Sequence, residues 1–507
     1  MRGAVLVRLI RRHPGVIRKA RPDRFPMLQR LSYIVGAVVS GAGAAMVPPA
    51  VVAAFYRETD EAVQILIAAA ITLAAGLVSW RVVGRHGNIT AKEGFAAVGL
   101  AWFAMAAFGT LPFLLTGSID TLTGAFFETA AGFTTTGASV VPDPSLLSHG
   151  ILIWRAETQW IGGMGIIVLS IAILPLLGVG GVQLAKAESP GHKPDRLTPR
   201  FRETAKRLWL VYVGFTVLEA ILLALGDMNL FQAAAHAMTT MSTGGFGTEA
   251  TSLTGFSPYT QWVIIVFMFI AGASFALHYR ALRSPVDYAR SAEFRLYALL
   301  LFVAILVIAV SLGGESLEPT IRDATFTATS LMTTTGFVTA DFGAWGSGLQ
   351  ILLVGLMFLG GMAGSTAGGV KTFRIAVLTK AASADLRRIV HPRGIFITRF
   401  GKETVSDSVM ESIQTFFVFY MMLFMTGTLL LGLIESNLET GVDLVTSASA
   451  AASALGNIGP GLGAVGPTGN YLAVPDTAKW LLSFLMIAGR LEIFPVVLLF
   501  TRNLWKR

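Results

Sequence analysis

The chain has 507 residues, 53% hydrophobic and 14% charged, with 39 Lys and Arg against 30 Asp and Glu, a net charge of +9. No polar linkers divide so large an apolar chain, which excludes an ordinary soluble fold, and the basic excess lies in separate loops rather than in a nucleic-acid-binding face. Zero cysteines exclude disulfides and thiolate metal sites, and the seven histidines form no helical pair suited to a transition metal.

A basic segment, 1–30, comes first; its apolar stretch from Ala4 to Ile10 is interrupted by Arg8, so it reads as a cytoplasmic surface segment and not a cleavable signal. Ten apolar runs then follow at 31–56, 63–83, 95–117, 151–180, 208–226, 259–281, 294–314, 347–380, 409–435 and 476–500. Most of these runs approach or exceed the roughly 20 residues that cross about 30 Å of hydrocarbon. The expected fold is therefore all-α, an integral membrane protein of ten spanning helices. With the N-terminus inside, 1–30, 81–93, 183–207, 280–295, 374–402 and 502–507 face one side and carry 33 of the 39 basic residues. This is the positive-inside asymmetry, and it places both termini in the cytoplasm.

Between spans, four short segments end in small-residue tripeptides: Thr135-Thr136-Gly137, Thr243-Gly244-Gly245, Thr334-Thr335-Gly336 and Asn457-Ile458-Gly459. The final glycines are 108, 91 and 123 residues apart, and Asp120, Asp227, Glu318 and Asp443 precede them by 17, 18, 18 and 16 residues. Fourfold repetition on this scale implies four equivalent elements about one axis. Each repeat then consists of a span, a re-entrant half-helix and a second span, with the acids as N-caps and Pro319 following Glu318 at a first helical position. The organisation becomes 1–30, two extra spans in 31–93, repeat one in 94–182, a cytoplasmic loop in 183–207, and repeats two, three and four in 208–283, 284–404 and 405–507.

The half-helices would direct their negative dipole ends at a cation on the axis. The glycines after them would let carbonyl oxygens converge and replace a hydration shell. Thr135, Thr243 and Thr334 would add hydroxyl oxygen at the inner end, while Asp143, Glu249 and Asp341 would either charge the outer mouth or cap turns. His236, in the second half-helix, is expected to be a structural hydrogen-bonding residue.

The second span of repeat three is too long for one crossing. Its middle holds Gly360, Gly361, Gly364, Ser365, Thr366, Gly368, Gly369 and Lys371, with five glycines in ten residues, each costing a helix about 1 kcal/mol. A helix break at 360–371 directly below the tripeptides would obstruct ions. Arg490, in the middle of the last span, must face a partner or a cavity. Glu492 lies two residues along and on another face, which leaves Glu128 and Asp443 as open alternatives. Gly461 to Gly466 fits G-x-G-x-x-G, but it follows Pro460 in a loop with no preceding strand, so the dinucleotide context fails. No enzymatic activity is expected.

The TTTG, STGGF, TTTGF and GNIGPG series resembles the Trk/Ktr/HKT potassium transporters. The two extra N-terminal spans, together with Ala187-Glu188-Ser189-Pro190 and Asp195-Arg196-Leu197-Thr198-Pro199-Arg200, are most similar to the bacterial TrkH branch. The resemblance covers nearly the whole chain beyond about residue 30. It implies K⁺ uptake across the bacterial inner membrane through a carbonyl-lined selectivity filter formed by the four tripeptides. It further implies that 360–371 is an intramembrane gate, and that Arg490 projects toward the pore near it as a barrier to cations. A homodimer, a cytosolic TrkA-type nucleotide-binding regulatory ring, and K⁺ as transported ion without a covalent cofactor are also implied. Glycine at all four final positions, including Gly137, matches the potassium-selective pattern. The alternatives are the potassium-binding membrane subunit of an ATP-driven pump and a sodium-permeable relative.

Overall fold

A computed structural model of the protein describes residues 27–83, 90–173, 197–313, 316–401, 403–436 and 443–505. Residues 187–190, 195 and 196 of the sequence-predicted loop motif lie outside them. Among the described residues the chain is helical, apart from one two-residue antiparallel hairpin, Arg399–Phe400 with Glu403–Thr404. Among the described residues, six helices are long and apolar enough to cross a membrane, or seven if one sharply bent pair is counted as a span. The other predicted spans are broken or carry more polar residues.

The first two helical segments, Met27–Phe55 (interrupted near Met46) and Thr59–Val83, form a hairpin. They approach closely through small residues: a Cβ on Gly36 would lie 2.7 Å from the Trp80 amide nitrogen, and one on Gly43 2.8 Å from that of Leu73. Between apolar helices that have no hydrophobic drive to associate, such close approach supplies the packing energy. The turn of the hairpin is tied to the start of helix His149–Ile173 by Glu58, which accepts from the His149 backbone N–H at 2.9 Å and lies 2.7 Å from its Nδ1.

Four short helices, Leu122–Phe133, Leu230–Met241, Leu317–Met332 and Leu444–Gly456, contain 12, 12, 16 and 13 residues. At 1.5 Å per residue they reach about 18–24 Å and cannot span. Their caps differ from expectation in three cases. Thr121, not Asp120, caps the first helix through Gly124 N–H. Asn229, in a reciprocal capping box with Gln232, begins the second. Asp227 instead accepts from Ser257 and Thr260 at the start of helix Pro258–Ala271, and although burial opposes it, these bonds hold its carboxyl below the usual range. Glu318 lies inside the first turn of the third helix, pairs with Arg322 at 2.9 Å and accepts from Trp262. Only Asp443 caps as expected, by accepting from Thr446 N–H at 2.8 Å.

The long second segments also depart from straight spans. The 347–380 run breaks as expected into Ser347–Leu359 and Thr372–Val390. The 259–281 run, predicted to be continuous, is two helices, Pro258–Ala271 and Phe275–Ala281, bent by 100°. A Cβ on Gly272 would lie 2.5 Å from the Tyr297 hydroxyl and 2.7 Å from Thr333 Cγ2, so the turn is packed around this residue. The last run likewise ends one helix at Arg490 and starts another at Phe494, with Glu492 at φ 57° and Ile493 at φ 67°. A β-branched residue rarely adopts such a backbone, which therefore has to be imposed by surrounding contacts.

Candidate ion-conduction site

Each short helix ends in the same backbone turn. Thr135, Thr243, Thr334 and Asn457 are left-handed (φ 51°, 54°, 59° and 58°), and Gly137, Gly245, Gly336 and Gly459 again have positive φ (77°, 78°, 82° and 109°). The turn is fastened to its helix in the same register four times. Thr136, Gly244, Thr335 and Ile458 donate their N–H groups to Ala131 O, Thr239 O, Ser330 O and Ser453 O at 2.8 to 3.0 Å.

The four turns close into a ring. A Cβ added to Gly137 would run into Gly244 O, one on Gly245 into Thr335 O, one on Gly336 into Ile458 O, and one on Gly459 into Thr136 O, each nearer than 3.0 Å. Contact thus passes from repeat one to two, two to three, three to four and four back to one. The carbonyl met is always that of the residue before the final glycine. Such closure brings all twelve tripeptide residues together, with the carbonyl ends of four helices behind them.

The side chains are less uniform. The hydroxyls of Thr136 and Thr335 bond to Thr134 and Thr333 in their own turns at 2.7 and 2.8 Å. Of the three inner hydroxyls, that of Thr243 donates to Ser242 O, that of Thr334 accepts from Gly368 N–H at 2.7 Å, and Thr135 Oγ1 has no hydrogen-bond partner among the described residues. Asn457, which takes the left-handed conformation readily, donates from Nδ2 to Met486 O at 2.8 Å and Thr136 Oγ1 at 3.1 Å.

Further polar residues stand behind this ring, of which Glu128 alone was named from the sequence, as an alternative partner for Arg490. Gln159 bonds both Gly244 and Phe246. Glu128 accepts from Arg155 Nε at 2.9 Å, from Val140 N–H and from Ser139, while Arg155 reaches Gly247 O at 3.1 Å and lies 4.2 Å over the Phe246 ring. Tyr471 donates to Gly459 O at 2.9 Å. Polar residues inside an apolar stretch were the available signal for Glu128, Arg155 and Gln159.

Directly inside the ring lies the 360–371 loop. Its contacts reach nearly every surrounding element. Thr366 donates to Met241 O and Ala271 O, both at 3.1 Å, Gly368 N–H goes to Thr334, and Gly369 N–H goes to Gly456 O at 3.0 Å. Met362 N–H donates to Gly272 O and Phe275 N–H to Gly364 O, so the break in repeat two receives one end of the loop. A Cβ on Gly368 would run into Gly456 O, so glycine there is required by close approach. Glu293 holds Ala363 N–H at 2.7 Å, and Lys371 folds back onto Ala367 O at 2.9 Å. Gly360, Gly361, Ser365 and Gly364 complete the buried or half-buried turn.

Arg490 is 2% exposed, and its acidic partners named as alternatives are engaged elsewhere: Glu128 with Arg155, Asp443 with Thr446. Glu492, set aside on geometric grounds, pairs with Arg374 at 2.6 Å. Arg490 instead donates to Thr366 O at 2.6 Å and to Gly162 O at 3.2 Å. It is therefore not a free charge in an open passage but a cross-tie between the loop and repeat one.

In the segments after the tripeptides, Asp143 and Asp341 cap the short turns Pro144–Leu146 and Phe342–Ala344, and Glu249 accepts from Gln232. The turn-capping reading thus holds for the first two. His236 is fully buried, with Nδ1 2.9 Å from Gln232 O and its ring among Phe256 and Phe337, which fits the structural role. No cluster of acids and histidines suited to a metal occurs among the described residues.

A helical membrane protein with four half-helices closed around one axis is the class this arrangement defines. A model of the TrkH family, described as a cation transport protein, matches residues 61–507. The chain is 37% identical over 486 residues to the Trk system potassium uptake protein TrkH of Escherichia coli (strain K12), covering 94% of this chain and 99% of that protein. It is 33% identical over 470 residues to the same organism's TrkG, covering 91% and 95%. The crystal structure of the potassium transporter TrkH from Vibrio parahaemolyticus superposes with a TM-score of 0.86 at 35% identity, covering 94% of this chain and all of that one. The chain belongs to the TrkH family of cation transport proteins. That family is one of transporters and not of enzymes.

Proposed function

We propose that this protein takes up K⁺ across the bacterial inner membrane, with the four tripeptides as its selectivity filter and the 360–371 loop as its gate. The observation that carries the reading is the closed ring, in which four backbone turns of one geometry set four carbonyls against four glycines. Carbonyl dipoles at the ends of half-helices can replace the hydration shell of a cation, and no side chain needs to be ionised. Glycine at all four final positions keeps that ring compact, in line with potassium rather than sodium.

The loop fits the gate because it lies beneath the ring and is joined to its surroundings by hydrogen bonds, beside the apolar anchors Met362 and Val370 at its two ends. Opening requires breaking these bonds and moving Arg490 away from Thr366. The reading extends to cytoplasmic termini, a homodimer with one pore per subunit, and a cytosolic nucleotide-binding ring that acts on the loop from inside.

Rb⁺ and Na⁺ flux into liposomes containing the purified protein tests both assignments. Gly137→Ser introduces a side chain against Gly244 O and should lower the K⁺/Na⁺ ratio; a folded variant with an unchanged ratio removes Gly137 from the filter. Deleting Met362 to Gly368 should raise basal flux, and unchanged or abolished flux in a correctly folded variant removes the loop as gate.

A further inference from the structure

We propose that Gln159 is a positioning residue for ion selection: it replaces the side chain that repeat two lacks and holds one of the four ring carbonyls in place. The proposal rests on the filter reading above. The position before the final glycine is Thr136, Thr335 and Ile458 in three repeats, but Gly244 in the second. Gly244 does not have the positive φ of its neighbours, so backbone conformation does not demand glycine there. Space does. A Cβ on Gly244 would collide with Gln159, lying 2.8 Å from Nε2 and still nearer to Cδ and Oε1.

Gln159 extends from helix His149–Ile173 of repeat one and is fully buried. It donates from Nε2 to Gly244 O at 2.7 Å and accepts at Oε1 from Phe246 N–H at 3.1 Å. Because one partner is a carbonyl and the other an N–H, the orientation of the amide is set by its surroundings. Gly244 O is the oxygen that faces Gly137 in the ring. Gln159 therefore grips both flanks of Gly245 from the neighbouring repeat, whereas the Thr136 and Thr335 hydroxyls each bond to a threonine of their own turn, that of Thr136 also accepting from Asn457.

Among the described residues, the Gly244 carbonyl is the one member of the four that receives a side-chain hydrogen bond. A donated bond draws on the oxygen's lone pairs and weakens its pull on a cation. Where discrimination depends on the number and field strength of carbonyl dipoles, a weaker field favours the less strongly hydrated K⁺ over Na⁺. Gln159 thus sets both the place and the strength of this oxygen.

The test uses the full-length protein in liposomes, with Rb⁺ and Na⁺ flux measured beside melting temperature. Gln159→Met keeps the length and loses both bonds; the K⁺/Na⁺ ratio should fall about fivefold, the factor corresponding to one net hydrogen bond, with K⁺ flux retained. Gly244→Thr alone should disrupt flux by collision, and Gln159→Ala/Gly244→Thr should recover it by restoring the pattern of repeats one and three. An unchanged ratio in a normally melting Gln159→Met protein overturns the proposal. If that variant does not fold, a double variant no better than Gly244→Thr alone overturns it. Gly137→Ser, measured in parallel, separates the two levels. A changed ratio there with none in Gln159→Met removes only Gln159, whereas no change in either removes the filter assignment as well.

Discussion

The tripeptide ring and the 360–371 loop are both irregular, glycine-bearing backbone at membrane depth, yet they are held in opposite ways. Each turn of the ring is fastened first to its own half-helix, through four backbone bonds in the first three repeats and through two backbone bonds and the Ser453 hydroxyl in the fourth, and then meets its neighbour. The loop has local ties too, such as Ser365 N–H to Met362 O and Thr372 N–H to Gly361 O, but no helix of its own to fasten to, and it depends on distant partners as well. It borrows Met241, Ala271 and Gly272 from repeat two, Glu293 and Thr334 from elsewhere in repeat three, and Gly456 and Arg490 from repeat four. A locally determined element can be copied four times and remains rigid, which suits a filter. An element held by many distant partners is released when a few of them move, which suits a gate.

Gly336→Ala should show the largest effect, because it places a methyl group against Ile458 O on a residue with φ 82°. Neither the ring nor the turn can yield cheaply, so selective flux should be lost altogether in Rb⁺ and Na⁺ measurements. Preserved flux and ratio would mean that the ring is looser than its contacts indicate.

Arg490→Ala should act on the loop alone. It removes two charge-assisted hydrogen bonds of about 1.5–3 kcal/mol each, and with them the cross-tie between Thr366 and Gly162. Basal flux should rise while the K⁺/Na⁺ ratio remains as before. A large loss of melting temperature without added flux would make Arg490 a structural residue only.

Thr334→Val tests the joint between the two regions and should have the smallest effect. It keeps the shape of the side chain but removes the hydroxyl that accepts from Gly368 N–H, a bond worth about 1 kcal/mol net. A modest rise in basal flux with little change in the ratio is expected; a ratio change as large as that of Gly137→Ser would place the Thr334 hydroxyl among the ion's ligands.

Much of this architecture was legible in the chain because it is local. Apolar run length, a glycine tripeptide after each half-helix and five glycines in ten residues each act within a few residues of themselves, so the half-helices, the four turns and the 360–371 break were all recoverable. Helix starts were less so. Asp120 and Asp227 are good capping residues, but Thr121 and Asn229 stand nearer the first helical turn, and Asp227 finds Ser257 and Thr260 across a loop instead; Glu318 is of a type that favours the first turn, where it lies.

The breaks at Gly272 and at Leu491 to Ile493 were not legible, since both runs are apolar and the second contains no glycine or proline between Arg490 and Phe494. Hydropathy and backbone chemistry are properties of short segments, and they suffice for a membrane bundle of four related units, each with its turn. Tertiary structure alone decided which carbonyl meets which glycine, that Gln159 occupies the space left by Gly244, and that Arg490 grips Thr366 and Gly162 while Glu492 turns to Arg374. Those pairings join residues up to 328 positions apart, and a buried donor takes whichever acceptor the packing brings within reach.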